Sequence, residues 1–282
     1  MHTTISSPGK TVTIGDDQPF VIIGERINPT GRKVFQQQLR NGDLSRIAID
    51  VEQQVAGGAM ALDVNMGAPL ADEADLMIKA VTLIQQLTDL PLVIDSSIPE
   101  VLEAGLATYR GKALVNSVTA EDDRLHTILP LVARYKAAVI GLPNDEEQIP
   151  DEPTERLTLT RKLIRVATDT YKIPVEDIVI DPLAMPVGAD TQHTLRTLET
   201  IALIREEFGV NMTLGASNVS FGMPDRDAIT GAFLPLAAQA GLTSAIMDAR
   251  SPRAVTSVKA ADLLLGRDDW GAAWISFYRA RQ

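Results

Sequence analysis

The sequence predicts a single (β/α)8 TIM barrel preceded by a short N-terminal hairpin, and three observations predict it. First, eight short apolar runs end in Asn or Asp: Asn28 (VIIGERIN), Asn65 (ALDVN), Asp95 (LPLVID), Asn116 (KALVN), Asn144 (AVIGLPN), Asp181 (IVID), Asn218 (after VNMTLGAS) and Asp248 (SAIMD). Second, the gaps between these ends are 37, 30, 21, 28, 37, 37 and 30 residues, each enough for one helix and two loops. Third, the chain has 282 residues, close to the ~250 typical of such barrels. Alternation of short strands with long helical patterns implies a parallel sheet. Eight units without a domain break favour closure over an open doubly wound sheet. The expected organisation is one domain over 1–282: a preface over 1–19, the barrel over 20–265 and a C-terminal segment over 266–282.

In the preface, Thr11–Ile14 alternates and Gly15-Asp16-Asp17 reads as a turn, so a short hairpin over the barrel floor is expected. Strand one is Val21–Ile27, followed by the turn-rich Asn28-Pro-Thr-Gly31 and a short helix from Arg32 to about Gly42. Ser45 is the candidate cap of the next helix, and Gly57-Gly58 stops it. After the strand ending at Asn65, apolar residues at helical spacing (Leu76, Ile78, Val81, Ile84, Leu87) place a helix over Asp72–Thr88. Leu92–Asp95 is strand three, and Ser96-Ser97 with Pro99 starts its helix.

Strand four is Ala113–Asn116. Its helix follows Glu121-Asp122-Asp123 and runs toward Tyr135, with Pro130 expected to kink or shorten it. Strand five is Ala138–Leu142. The acidic, proline-bearing stretch 144–153 that follows is too long for a tight connection and reads as a mouth loop or lid. Helices over Thr154–Tyr171 and Thr191–Phe208 bracket the strand ending at Asp181. The strand opening at Val210 leads to a helix from Asp225, and the strand ending at Asp248 leads to Pro252–Leu265. Trp270, Trp274 and Phe277 are expected to pack the C-terminal segment onto the shell.

Composition narrows the function. With no cysteine, disulfides, thiolate metal sites and a cysteine nucleophile are excluded. A net charge of −11 argues against general nucleic-acid binding, which needs Lys and Arg on phosphates. No run approaches the ~18 apolar residues of a membrane span, and Met1–Lys10 has no apolar signal core. The expected location is the cytoplasm. Gly9-Lys10-Thr11 imitates the end of a phosphate loop, but the first glycine of that motif would fall at Thr4. Gly215-Ala-Ser217-Asn218-Val219 imitates a serine nucleophile elbow, but the second glycine is Val219 and no strand-end histidine could activate Ser217.

In a barrel, chemistry sits at the carboxyl ends of the strands, where the Asn/Asp ring falls. Three of its acids, Asp95, Asp181 and Asp248, could hold a hard divalent cation through oxygen. The neutral amides argue against a dedicated metal, and His2, His126 and His193 form no ligand cluster. The other reading is a flat nitrogen heterocycle: a carboxylate accepts the two adjacent N–H donors of a 2-amino-4-oxo-pyrimidine in a fork, and an Asn amide answers a ring nitrogen. Each strand-end Asn or Asp could equally cap the turn behind it. Glu25 and Arg26 are expected to pair with neighbours inside the mouth, and Met66, Met185 and Met223 to serve packing.

In order along residues 20–265, IGERIN (Ile23–Asn28), ALDVNMG (Ala61–Gly67), IDSS (Ile94–Ser97), VNS (Val115–Ser117), IDPL (Ile180–Leu183), LGASNVSFG (Leu214–Gly222) and Arg226 resemble the pterin-binding, cobalamin-dependent methyltransferases. That family includes methyltetrahydrofolate:corrinoid/iron–sulfur protein methyltransferase and the methyltetrahydrofolate domain of cobalamin-dependent methionine synthase. The resemblance implies that Asp95, Asn116 and Asp181 hold the pterin and that Asn218 hydrogen-bonds near N5 as the catalytic residue. It carries over further to Asn144 and Arg226; Asn28, Asn65, Ser217 and Asp248 are additional candidates at the mouth.

The implied activity moves a methyl group between N5 of methyltetrahydrofolate and the cobalt of a corrinoid, with no metal required by this chain. The chain has no Asp-x-His-x-x-Gly cobalamin signature: Asp123 and Asp190 each precede a histidine by three positions. The corrinoid is therefore expected on a separate protein, for which the acidic 145–152 loop is a candidate docking edge, and a homodimer is expected. Alternatives are the reverse transfer to tetrahydrofolate in an O-demethylase system, a dihydropteroate synthase-like condensing enzyme and a folate-binding protein without catalysis. The second is disfavoured because Asn28-Pro-Thr-Gly31 stands where dihydropteroate synthases carry an Asn-x-Thr-x-Asp-Ser-Phe segment.

Overall fold

The computed structural model describes residues 1–146 and 149–281. Two antiparallel strands, β1 (His2–Ser6) and β2 (Thr11–Gly15), form the hairpin, with Ile5 opposite Val12 and Thr3 opposite Ile14. Its turn lies between Ser6 and Thr11; Gly15-Asp16-Asp17 instead leads into the barrel.

The barrel strands are β3 (Val21–Ile27), β4 (Ala61–Asn65), β5 (Leu92–Asp95), β6 (Leu114–Thr119), β7 (Ala138–Leu142), β8 (Ile178–Ile180), β9 (Asn211–Met212) and β10 (Ser244–Met247). All are parallel, in the order β10-β3-β4-β5-β6-β7-β8-β9. The ring closes where the Ile246 N–H donates to the Leu214 carbonyl at 2.8 Å and Gly215 bridges to Ile246. The fold is a (β/α)8 barrel, as its strand–helix alternation requires.

The helices between strands are α1 (Lys33–Arg40) and α2 (Ser45–Gly57) after β3, α3 (Glu73–Leu87), α4 (Pro99–Thr108), α5 (Asp122–Tyr135), α6 (Pro153–Arg165), α7 (His193–Phe208), α8 (Arg226–Ala240) and α9 (Pro252–Leu264); α10 (Ala272–Arg279) closes the chain. Helix α2 is not capped by Ser45. Leu44 takes that position, and the Asp43 carboxylate accepts the Ser45 N–H at 2.9 Å. Pro130 neither kinks nor shortens α5, which runs unbroken to Tyr135. The carbonyl that proline leaves without a donor belongs to His126, at an exposed position where water can serve it. The expected helix over 154–171 ends its α-helical part at Arg165 and continues as a π-helical turn over Val166–Thr170.

Two cores result, because parallel strands are buried on both faces. The outer one packs β-strand residues such as Leu62, Val64 and Ile94 against helix residues such as Val81, Ile84 and Leu102. The inner one fills the lumen with Val21, Ile23, Ala61, Val93, Leu114, Ala138, Ile140 and Val179. Ile5, Val12 and Ile14 of the hairpin belong to this inner core, so the hairpin plugs the barrel floor. Burying each such side chain contributes about 1.5–3 kcal/mol. The Asn211 carboxamide locks the plug by donating to Thr3 Oγ1 at 3.0 Å and to the Ile14 carbonyl at 2.9 Å. At the other end of the chain, Phe277 packs on the core and stacks near Trp274 at 6.1 Å. Trp270 is fully exposed, contrary to expectation, because its left-handed backbone (φ 58°) turns it off the shell.

Candidate functional site

With the floor plugged by apolar side chains, the polar residues of the lumen collect at its carboxyl end. Period-two alternation puts them there: Glu25 follows Val21 and Ile23, and Asp63 and Asn65 follow Ala61 on the same strand face. Asp95 follows Val93, Asn116 follows Leu114, and Asp181 follows Val179 by the same rule.

Three neighbouring strands form the tightest part of the site. The Asn65 amide donates to Asp95 Oδ2 at 2.9 Å, while its own oxygen accepts the Gly67 N–H at 2.8 Å. The Asn116 amide donates to Asp63 Oδ1 at 3.0 Å. Burial, then the charge of Asp95, pushes the Asp63 carboxyl well above the usual carboxylate range. Burial raises Asp95 to about 6 against the pull of the Asn65 donor. Two buried acids in contact cannot both ionise cheaply, so the pair holds a proton near neutrality. Across the mouth, burial pushes Asp181 to about 7, although its Oδ1 accepts the Leu183 N–H at 2.8 Å and Arg156 pulls the other way.

Glu25 on β3 and the segment after β9, which flank β10 in the ring, meet at a further part of the mouth. The pairing of β3 with β4 shifts register between Gly24 and Ile27, the stretch that carries Glu25 and Arg26. Glu25 makes no hydrogen bond among the described residues, so it does not pair as expected. Burial and Asp248 raise it to about 7 against Arg26, Arg226 and Arg250. It lines a cleft of about 220 Å³ with Ser217, Ser220, Arg226 and Asp248. Asn218 sits on a single 3-10 turn (Ala216–Ser220), exposed, its carboxamide making no hydrogen bond among the described residues. The amide lies over Gly215: a Cβ there would stand 2.9 Å from Asn218 Nδ2. Arg226 holds this turn from behind, donating to the Ser217 carbonyl at 2.7 Å and to Ser220 Oγ at 3.3 Å.

The remaining candidates divide. The Asn28 side-chain oxygen closes its own turn, accepting the Thr30 N–H at 2.8 Å. Asp248 is gripped by Arg250 at 2.7–3.2 Å and by Gln54 at 2.8 Å. Burial raises its carboxyl, but those donors outweigh it and the net shift is downward. Asn144 follows β7 half-buried, its backbone carbonyl accepting the Ala120 N–H at 2.9 Å. Of the acidic loop, Glu147 and Gln148 lie outside the described residues. Among the described residues no three His, Asp or Glu side chains converge to hold a metal, and no helix is long and apolar enough to cross a membrane.

Sequence reasoning missed Asp63 as a candidate, although an acid between Leu62 and Val64 in a strand buried on both faces is itself a signal. It also underrated Glu25, which follows Val21 and Ile23 onto the lumen face by the same alternation.

A sealed lumen with paired, protonatable carboxyls and neutral amides at its carboxyl end defines a site for a flat, hydrogen-bonding heterocycle. Residues 24–248 match the family of pterin binding enzymes, and the chain belongs to that family. Within it, the chain is 30% identical to a methylcorrinoid:tetrahydrofolate methyltransferase of Eubacterium limosum, covering 88% of this chain and 92% of that protein. It is also 30% identical to methionine synthase of Mycobacterium tuberculosis, over 87% of this chain but only 22% of that longer protein. Solved structures of similar fold include a dihydropteroate synthase of Xanthomonas albilineans (TM-score 0.71, 21% identity, covering 94% of this chain and 98% of that one). Another is the Yersinia pestis enzyme with a pterine-sulfa conjugate (TM-score 0.69, 14% identity, covering 94% and 99%). At these identities the two structures speak for the fold alone. Transfer of a methyl group is the activity that the name of the Eubacterium limosum relative shares with the expectation from sequence.

Proposed function

We propose that this protein moves a methyl group between N5 of a tetrahydrofolate and the cobalt of a corrinoid carried by a separate protein. The observation that supports this reading is Asn218: a neutral carboxamide, with no hydrogen bond among the described residues, on a mouth that also carries a set of protonatable carboxyls. A hydrolase would need an activated nucleophile there, and a condensing enzyme of the dihydropteroate synthase kind would need the segment that Asn28-Pro-Thr-Gly31 replaces.

In this reading Asp181 accepts the paired N–H donors of the pterin in a fork. Asp95 and Asn116 hold the opposite edge, with Asn144 at the rim and Arg226 holding the Asn218 turn. When methyl leaves N5, the bonding pair stays on nitrogen, which must gain a donor bond or a proton. The Asn218 amide strengthens its bond to N5 as that negative character develops, which is preorganised electrostatic stabilisation. The cobalt centre, as co-substrate, supplies or accepts the methyl group. Both directions pass through the same site, and the name of the Eubacterium limosum relative favours transfer toward tetrahydrofolate.

The test replaces Asn218 with Ala. Transfer should slow at least about tenfold, the loss of one preorganised donor, while pterin affinity changes less. An unchanged rate removes Asn218 from the mechanism.

A further inference from the structure

Beside the mouth, the end of β3, α1 and the start of α2 frame a groove of about 530 Å³ lined by Arg26, Arg32, Lys33, Phe35 and Arg46. In a chain of net charge −11 this is a concentrated cationic site. One carboxylate serves it from below: fully buried Asp50 takes Arg32 at 2.8 Å and Arg46 at 2.9–3.1 Å. Lys33 is exposed and in no ion pair among the described residues. Among the described residues Arg26 pairs only with Asp248, at 3.8 Å, and that carboxylate is already forked by Arg250. Its Nε is buried with no hydrogen-bond partner. A buried guanidinium N–H left unpaired is costly. Phe35 lies under the Arg32 guanidinium at 4.8 Å and holds its plane toward the groove. Burial, then Arg32 and Arg250, depresses the Arg26 pKa against the opposing charges of Asp248 and Asp50.

We propose that this groove is an oxyanion subsite that receives the carboxylates of the glutamyl tail of the folate. The proposal rests on the function proposed above. A folate seated pterin-first in the lumen must carry its acidic tail out across the rim, and the groove adjoins the mouth through the Arg26–Asp248 contact. A phosphodiester of a corrinoid nucleotide has the same chemistry and would fit the same cations.

Calorimetry separates the sources. The wild type and the variants Lys33→Glu and Arg26→Gln are titrated with tail-less 6-methyltetrahydropterin, tetrahydrofolate and tetrahydropteroyltriglutamate, then with cobalamin and with cobinamide, which lacks the nucleotide. Lys33 makes no structural bond, so its variant folds irrespective of the outcome. The expected result is that Lys33→Glu weakens triglutamate about fivefold or more, the scale of a rim ion pair, weakens tetrahydrofolate less and leaves the tail-less pterin unchanged. Loss of affinity for cobalamin but not cobinamide, with folates unaffected, would keep the oxyanion subsite and assign it to phosphate. Unchanged affinity for every probe in both variants overturns the subsite. Failure of the wild type to bind even the tail-less pterin would instead overturn the function proposed above.

Discussion

The Asn116 carboxamide, on β6, reaches over β5 to donate to the Asp63 carboxyl on β4 at 3.0 Å. The bond fixes the orientation of the amide and leaves its oxygen for the mouth. It also supplies the donor that a fully buried acid needs. Replacing Asn116 with Ala strands Asp63 without that donor. The expected cost is about 1–3 kcal/mol of folding stability, with pterin affinity lost at least about tenfold, the scale of one further hydrogen bond. Denaturant unfolding and calorimetry read the two effects. A variant as stable as the wild type would mean that Asp63 finds its proton and partner elsewhere.

Asp181 gives a pH prediction with a definite sign. Its folded pKa is raised to about 7 above an unfolded value near 3.9. Between those values the folded state keeps a proton that the unfolded state has released, so stability falls as pH rises from about 4 to about 7. Asp181→Asn removes this contribution, on the order of a few kcal/mol at pH 8, and keeps an oxygen for the Leu183 N–H. Unfolding at pH 5 and pH 8 should show the variant gaining more on the wild type at pH 8 than at pH 5. Equal differences at both would contradict a raised Asp181.

The same group should govern ligand affinity. If the Asp181 carboxylate accepts the pterin N–H pair, affinity falls below pH 7 by up to about tenfold per unit. Asp181→Asn, acting as a permanently neutral group, should bind weakly with a flattened profile. A variant with wild-type affinity at pH 8 would take Asp181 out of the binding site.

Gly215 offers a test that leaves the chemistry of Asn218 intact. Its φ of −70° suits any residue, yet a Cβ would meet Asn218 Nδ2 at 2.9 Å. Gly215→Ala should displace the amide rather than the fold. Transfer should slow by about tenfold, comparable to loss of the donor, at nearly unchanged thermal stability. Full activity would mean the amide works from another rotamer.

The barrel was legible because eight strands advertise their ends with Asn or Asp, and Asp95, Asn116 and Asp181 fell on the lumen face with it. Asp63 was legible in principle, two residues before Asn65, but hid inside an apolar run that reads as core. The Asn116–Asp63 bond required knowing that β4, β5 and β6 are consecutive in the ring. Asn28 and Asp248 also make local bonds that the sequence does not show, because turn-forming and ligand-binding carboxyls and amides share one chemistry. Only coordinates separate an oxygen spent on the Thr30 N–H from one facing the mouth. Trp270 misled because aromatic residues near a terminus usually pack, whereas a positive φ at that position turns it into solvent. Arg26 was expected to pair inside the mouth, but its unpaired Nε was not legible, because a buried N–H without a partner leaves no mark in the residue pattern.

The most direct measurement is a single-turnover optical assay without oxygen, mixing the protein with methyltetrahydrofolate and a cobalt(I) corrinoid, and in parallel with methylcobalt(III) and tetrahydrofolate. The expected result is conversion of the cobalt band at a rate that scales with protein in at least one direction and drops at least about tenfold in Asn218→Ala. No protein-dependent conversion in either direction, with a corrinoid protein supplied and folate binding intact by calorimetry, would contradict methyl transfer and leave a folate-binding protein.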